Sequence, residues 1–189
     1  MDLPEDLRRH IFRIFLAGLR EASNLHRVQQ DGRVLRHIRD PSDAVKLADV
    51  QQNGWAIECI EYPSEAVQLA AVTQFGWVIR CIKNPSEAVQ LAAVTRDGWA
   101  IRFIPDRSEA VQLAAVTCQG SSIWYIEDPS EAVQLAAVQQ HWSAIEFLSN
   151  PSEVIELAAV TQSELAIRRI RNPSKAAQLA AAAQINKSK

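Results

Sequence analysis

The apolar and polar positions of this chain follow one sequence phrase of 22 residues that recurs along its length. Residues 85–104 read PSEAVQLAAVTRDGWAIRFI, and close copies of this phrase precede and follow them without insertion or deletion. Seven copies begin at Pro41, Pro63, Pro85, Arg107, Pro129, Pro151 and Pro173, so the first position is proline in six of these seven. A fixed period of this length is the signature of a repeat architecture, in which each unit is one supersecondary element.

The same period extends to both ends of the chain. Residues 28–38, VQQDGRVLRHI, match residues 50–60, VQQNGWAIECI, so a further unit begins at residue 19. The sequence therefore predicts seven full units, at 19–40, 41–62, 63–84, 85–106, 107–128, 129–150 and 151–172. An N-terminal capping helix in residues 1–18 and a C-terminal half-repeat cap in residues 173–189 complete the predicted organisation.

Each unit, numbered 1 to 22 from its proline, predicts a long helix A and a short helix B. Asp or Asn at position 22, Pro at position 1 and an acidic residue at position 3 indicate an N-cap and a first helical turn. Glycine at position 14 of five units predicts that helix A ends in a left-handed cap. Six residues then remain for helix B before the next unit begins, as in WAIRFI of residues 99–104.

Helix A is apolar around most of its circumference, and only neighbouring units can cover it. Positions 4, 5 and 7–10 are almost all Ala, Val or Leu, while Ile recurs at positions 17 and 20 of helix B. A helix pair of this size cannot bury its own apolar surface, whereas a stack of pairs gives one continuous core. The predicted fold is all-α, a right-handed α-solenoid of two-helix repeats with a capping helix at each end.

The capping role of the N-terminal helix follows from its own apolar stripe. That stripe consists of Leu7, Ile11, Ile14, Phe15 and Leu19. Arg9, Arg13 and Arg20 lie largely on the opposite side, as expected of a capping helix with one solvent-exposed face.

The repeat unit NPSEAVQLAAVTRDGWAIRFI, residues 84–104, resembles a tandem helical-repeat family of unknown function found in bacteria, protists and large viruses. More distantly it is similar to armadillo and HEAT solenoids. The resemblance covers residues 19–184 and implies an α-solenoid. It implies no active site, because that family has none in common.

Composition and charge narrow the function classes. The chain is 48% hydrophobic and 22% charged, and no apolar run approaches the ~20 residues that span a bilayer. Three cysteines and a charged N-terminus favour a reducing, cytoplasmic location. The net charge of −2 is uneven, since residues 41–150 carry 13 acidic and six basic side chains, whereas both ends are basic.

Residues that recur in every unit belong to the fold, and those that appear in only some units are free for function. This comparison assigns the carboxylates at position 3 to helix capping rather than acid–base chemistry. His37, Cys59 and Cys81 share position 19, but stacked helices lie ~8–10 Å apart, too far for a disulfide or a zinc site. His10, His26 and His141 lack a nucleophile at motif spacing. We expect no catalytic, cofactor-binding or metal-binding residues, and no enzyme.

Two alternatives concern other partners. Position 13 varies from unit to unit, with Asp31, Asn53, Phe75 and Asp97 among its residues, as in solenoids that read RNA bases. The acidic body argues against a phosphate-binding track.

The second alternative lies at the N-terminus, where LPEDLRRHIF, residues 3–12, resembles the opening of an F-box. The matching positions are Leu3, Pro4, Leu7, Ile11 and Phe15. The resemblance implies a substrate receptor of a cullin ubiquitin ligase, although the second half of the F-box pattern is not found.

The favoured interpretation is a scaffold or adaptor that binds a protein partner along one face. Position 15 is Trp in three consecutive units but Arg, Ser or Leu in the others, and position 18 of the same units carries Glu or Arg. Trp, Tyr and Arg are enriched in binding hot spots. The predicted partner-binding residues are Trp55, Trp77, Arg80, Trp99, Arg102, Trp124 and Tyr125. Packing of the indoles between neighbouring units is the competing interpretation.

One irregularity is also predicted. Trp142 and Glu164 stand where five earlier units have glycine, so the last two units should turn differently.

Overall fold

The computed structural model describes residues 4–187, in which α-helices alternate with short 3-10 helices. The α-helices are α1 Glu5–Gln30, α2 Asp43–Gln52, α3 Glu65–Gln74, α4 Glu87–Arg96, α5 Glu109–Cys118, α6 Glu131–Gln140, α7 Glu153–Gln162 and α8 Lys175–Lys187. The 3-10 helices are η1 Gly32–His37, η2 Gly54–Cys59, η3 Gly76–Cys81, η4 Gly98–Phe103, η5 Gly120–Tyr125, η6 Trp142–Phe147 and η7 Glu164–Arg168. No strand occurs between residues 4 and 187.

The predicted all-α solenoid is confirmed. Each α-helix packs on its neighbours in the chain, and each 3-10 helix packs on the next one, so two layers run side by side. Between them lies one core, formed by Val at positions 5 and 10, Ala at position 9 and Ile at positions 17 and 20. Most units contribute the same small set of residues.

The start of helix A differs from the prediction in one respect. The N-cap is the serine at position 2, not the Asp or Asn at position 22. Ser86 Oγ, for example, accepts a hydrogen bond from the backbone N–H of Val89 at 3.4 Å. The same hydroxyl donates to Glu65, the position-3 carboxylate of the preceding unit. The recurring Glu therefore also ties neighbouring units together.

The glycine at position 14 has a different role from the predicted left-handed cap. No glycine in the described chain has a positive φ, and Asp97, which ends α4, is extended at φ −153° and ψ 110°. Gly98 instead lies against the next helix, where an added Cβ would sit 2.5 Å from the carbonyl oxygen of Ala115. An added Cβ at Gly76 or Gly120 would also lie 2.5 Å from a carbonyl oxygen of the next unit. At these three positions glycine lets the backbones of two units approach more closely than a Cβ would allow.

Helix B is a 3-10 helix rather than an α-helix. With three residues per turn, positions 14, 17 and 20 fall in one row. Gly98, Ile101 and Ile104 form such a row and are buried against helix A. Positions 15 and 18 form a second row, which points outward.

The expected change in the last two units is wrong for helix A. Helices α6 and α7 span ten residues each, at the same positions of the unit as α2 to α5, and the residues that end them, His141 and Ser163, remain extended. The turn does not depend on a left-handed glycine, so Trp142 and Glu164 fit without altering it. The 3-10 helix η7 is one residue shorter than the others.

The N-terminal segment is continuous with helix A of the first unit and does not form a separate helix. Residues 5–30 form one helix of 26 residues, about 39 Å long, whereas the repeat helices have ten residues and measure about 15 Å. Residues 4–20 are all exposed, including Ile14 at 61% and Phe15 at 60%. The excess length places the apolar stripe beyond α2. Residues 1–3, with Leu3 of the F-box-like motif, and residues 188–189 of the predicted C-terminal cap lie outside the described residues.

Candidate interaction surface

The predicted partner-binding residues lie along the 3-10 layer, where each short helix presents positions 15 and 18 outward. Their exposure differs along the stack. Trp55, Trp77 and Tyr125 are half-buried, whereas Arg80 and Arg102 are exposed. Trp99 is 39% exposed and Trp124 is 66% exposed.

Trp77 is held by contacts to the next unit. Its indole N–H donates a hydrogen bond to the carboxylate of Asp97. The ring of Phe103 packs edge-on at 5.5 Å between centroids. The guanidinium of Arg102 lies 5.6 Å from the Trp77 ring and 5.4 Å from the ring of Tyr125. Trp77 therefore stiffens the stack, as the competing interpretation expected.

Trp55 has a similar environment one unit earlier. Its ring lies 6.4 Å from that of Phe75, and the guanidinium of Arg80 stands 5.0 Å from its centroid. The side chain of Asn53 accepts a hydrogen bond from the Trp55 backbone N–H. Arg80 and Arg102 thus each reach back over the tryptophan of the preceding unit, a cation–π arrangement worth about 0.5–1 kcal/mol at an exposed site.

The seven predicted partner-binding residues are together named the aromatic strip, and Trp99 and Trp124 are its least enclosed tryptophans. Trp99 Nε1 donates to Ser121 Oγ at 3.1 Å, and Ser121 is the residue that replaces Trp at position 15 of the next unit. Trp124 packs edge-on against Phe147 at 5.4 Å and leaves most of its ring exposed. A large apolar ring with this exposure has no role in covering the core.

Sequence reasoning missed three members of this surface. Phe75 lies at position 13, and Phe103 and Phe147 lie at position 19, beside the predicted tryptophans. Position 19 is Cys in two units, so an aromatic residue there is also a local choice. The position that carries His37, Cys59 and Cys81 also carries Phe103 and Phe147 in later units. The sequence therefore held a signal for two of the three residues.

The variable residues at position 13 have partners within the protein. Phe75 packs on Trp55, and Asp97 accepts from Trp77. This arrangement weakens the interpretation in which position 13 reads nucleic-acid bases.

Other kinds of site are not found in the part of the chain that the structure describes. No group of three or more His, Cys, Asp or Glu residues is placed to hold a metal ion among residues 4–187. Cys59, Cys81 and Cys118 are free thiols. None of the described helices is both long and apolar enough to cross a membrane.

Comparisons with protein-family models, with curated proteins and with solved structures find no match.

Proposed function

We propose that this protein is a non-enzymatic scaffold or adaptor that binds a protein partner along its 3-10 layer. One observation carries the proposal. Trp99 and Trp124 are exposed at positions where other units have Ser, Arg or Glu, so neither ring is needed by the repeat. Burial of such rings against a partner removes large apolar areas from water and retains a directional N–H group.

The residues around the exposed rings support this function by being held in place. Arg102 is in contact with Trp77, Phe103 and Tyr125, which limits its motion before a partner arrives. A pre-ordered side chain loses less conformational entropy on binding than a free one. The half-buried tryptophans thus support the surface, and the exposed ones contact the partner.

Charge favours a partner with a basic surface. Residues 41–150, which include the whole strip, carry seven more acidic than basic side chains. A field of this sign accelerates association with a positively charged surface, and salt weakens the effect. The cysteine usage favours a cytoplasmic setting for this interaction.

Site-specific photo-crosslinking in the native cell tests the proposal. A benzophenone amino acid replaces Trp124 in one variant and Tyr62 in a control variant. Tyr62 is 79% exposed and lies at position 22, outside the 3-10 layer. We expect a crosslinked protein from position 124 and none of that mass from position 62. Equal crosslinking at the two positions would contradict the proposal.

A second candidate function uses helix α1 as the docking element of an F-box-like substrate receptor. The supporting observation is the exposed apolar face of α1, which includes Ile11 at 49%, Phe12 at 60% and Phe15 at 60%. Substitution of Ile11 and Phe15 by Ser should then abolish recovery of a cullin-ligase adaptor that the wild-type chain recovers. Recovery of no such adaptor by the wild type would eliminate this candidate.

A further inference from the structure

A cavity of about 380 Å³ lies between the first two units, under the outer edge of η2. Its charged lining consists of Asp31, Arg36, Asp49 and Glu58. Trp55 forms part of the same lining, so the cavity is continuous with one end of the aromatic strip. The volume lies within the range of small-ligand pockets.

Asp49 is out of place in this repeat. It lies in α2 at position 9 of its unit. This position is Ala in the five units that follow, and each of those alanines is fully buried. Asp49 is 1% exposed, and neither of its carboxylate oxygens has a hydrogen-bond partner. Burial, and then the nearby charge of Asp31, raise the pKa of Asp49 to about 6. A buried carboxylate without a partner is costly, so its presence calls for an external one.

We propose that this cavity binds the guanidinium or ammonium group of an Arg or Lys side chain from the partner polypeptide. The inference rests on the proposed function and adds to it the chemistry of one contact. Among the described lining residues other than Asp31, the carboxylates of Asp49 and Glu58 outnumber the cation Arg36, which favours a positively charged ligand when both are ionised. The side chains of Gln52 and Asn53 add amide oxygens to the lining.

A cation in the cavity would supply the hydrogen-bond donors that the Asp49 carboxylate lacks within the protein. A guanidinium brings up to five N–H donors to the carboxylates of the lining. The oxygens of Asp49 are closed to a water-sized contact, so this side chain must turn toward the cavity to accept from the cation. The apolar part of the incoming side chain meets Leu35, Trp55 and Ala56 in the same lining. The bound cation also stabilises the ionised carboxylate, so it lowers the pKa of Asp49.

The test uses the full chain and two short probes, acetyl-Gly-Arg-Gly-amide and its citrulline counterpart, which keeps the shape and lacks the charge. Titration followed by carbon-13 NMR of the Asp49 carboxyl gives both affinity and ionisation. We expect the arginine peptide to lower the pKa of Asp49 and to bind at least tenfold more tightly than the citrulline peptide. Agmatine that binds more tightly than the peptide would overturn the assignment to a polypeptide side chain.

Asp49→Ala is the matched control, because Ala is the residue that other units use at this position. It should lose the preference for arginine, and Asp49→Asn should lose it as well, with the circular dichroism of both unchanged. Equal binding of the two peptides to the wild type, or an unchanged arginine preference in Asp49→Ala, would overturn the proposal.

The proposed function is tested separately. The Trp99→Ser, Trp124→Glu double variant should keep the preference for the arginine peptide, because neither residue lines the cavity. If that variant loses the partner and keeps the preference for the arginine peptide, the aromatic strip and the cavity act as separate parts of the surface.

Discussion

The interface between α4 and α5 and the interface between α1 and α2 are built on the same plan and filled differently. Between α4 and α5, Gly98 lets the backbone approach the carbonyl of Ala115, and Ala93 and Ala115 are fully buried. Between α1 and α2 the equivalent buried position holds Asp49, with a cavity beside it. The interior interface is optimised for close packing, whereas the first one retains an uncompensated charge.

The difference shows how a repeat separates the residues that stability requires from those that it does not. A residue that recurs in every unit records what the stack requires, and a departure from it marks a place where stability was not the criterion.

The close contact at Gly98 should be the most sensitive point of the stack. Gly98→Ala places a Cβ 2.5 Å from Ala115 O and 2.8 Å from Gln119 Cβ. We expect a loss of about 3 kcal/mol in the free energy of unfolding, at the upper end for overpacking. Urea unfolding measures it.

Gly54→Ala is the matched control, because its nearest contact is 3.0 Å and the next involves a side chain. It should lose about 1 kcal/mol. Equal losses at the two positions would contradict the close-packing account.

Asp49→Ala should stabilise the protein in a pH-dependent way. The pKa of Asp49 is raised from 3.8 to about 6, so the folded state binds its proton more tightly than the unfolded state. Without a ligand, the stability of the wild type therefore falls as the pH rises from about 4 to about 6 and stays lower above that. At 1.36 kcal/mol per pH unit, Asp49→Ala should gain about 3 kcal/mol at pH 7.5 and close to nothing at pH 4.

Urea unfolding of both proteins at the two pH values measures the gain. A gain of the same size at pH 4 and pH 7.5 would show that the carboxylate charge is not the cause.

Two tryptophans of the strip should respond differently to substitution. Trp77→Ser removes a half-buried indole, its hydrogen bond to Asp97 and its contact with Phe103, and we expect a loss of about 2 kcal/mol. Trp124→Glu installs the residue that two other units have at position 18 and should cost less than about 0.5 kcal/mol. Thermal unfolding followed by circular dichroism compares them. A larger loss of stability for Trp124→Glu than for Trp77→Ser would contradict the assignment of Trp77 to support of the stack and of Trp124 to contact with a partner.

The smallest effect is expected in the projecting part of α1. An added Cβ at Gly18 meets nothing within 4 Å. Gly18→Ala should therefore stabilise this helix by about 0.5–1 kcal/mol through backbone entropy alone. Slower amide hydrogen exchange in residues 8–20 would measure it, and faster exchange would show that the segment is packed in a way that the glycine permits.

The repeat explains which parts of the fold the sequence could predict. The period of 22 and the apolar positions of helix A determine the stack, because only neighbouring units can cover Val89, Ala93 and Val94. The type of helix B was harder to predict, since six residues are too few to distinguish periods of 3.0 and 3.6. The spacing of Gly98, Ile101 and Ile104 by three was an available signal.

Other features depend on contacts between units, which a single unit does not encode. Gly98 reads as a helix stop in its own unit, and only the position of Ala115 shows the steric reason for it. Exposure along the strip has the same origin. Trp77 and Trp99 occupy equivalent positions, but Trp77 meets Asp97 and Phe103, whereas Trp99 meets Ser121.

The central claim is that the exposed tryptophans serve a partner rather than the stack. The most direct measurement is quantitative affinity purification from the native cell with three baits of matched melting temperature: the wild type, the Trp99→Ser, Trp124→Glu double variant, and Tyr62→Ser. We expect the wild type and Tyr62→Ser to enrich the same protein, and the double variant to lose it by tenfold or more. Equal enrichment by the double variant, folded and with an unchanged melting temperature, would contradict the claim.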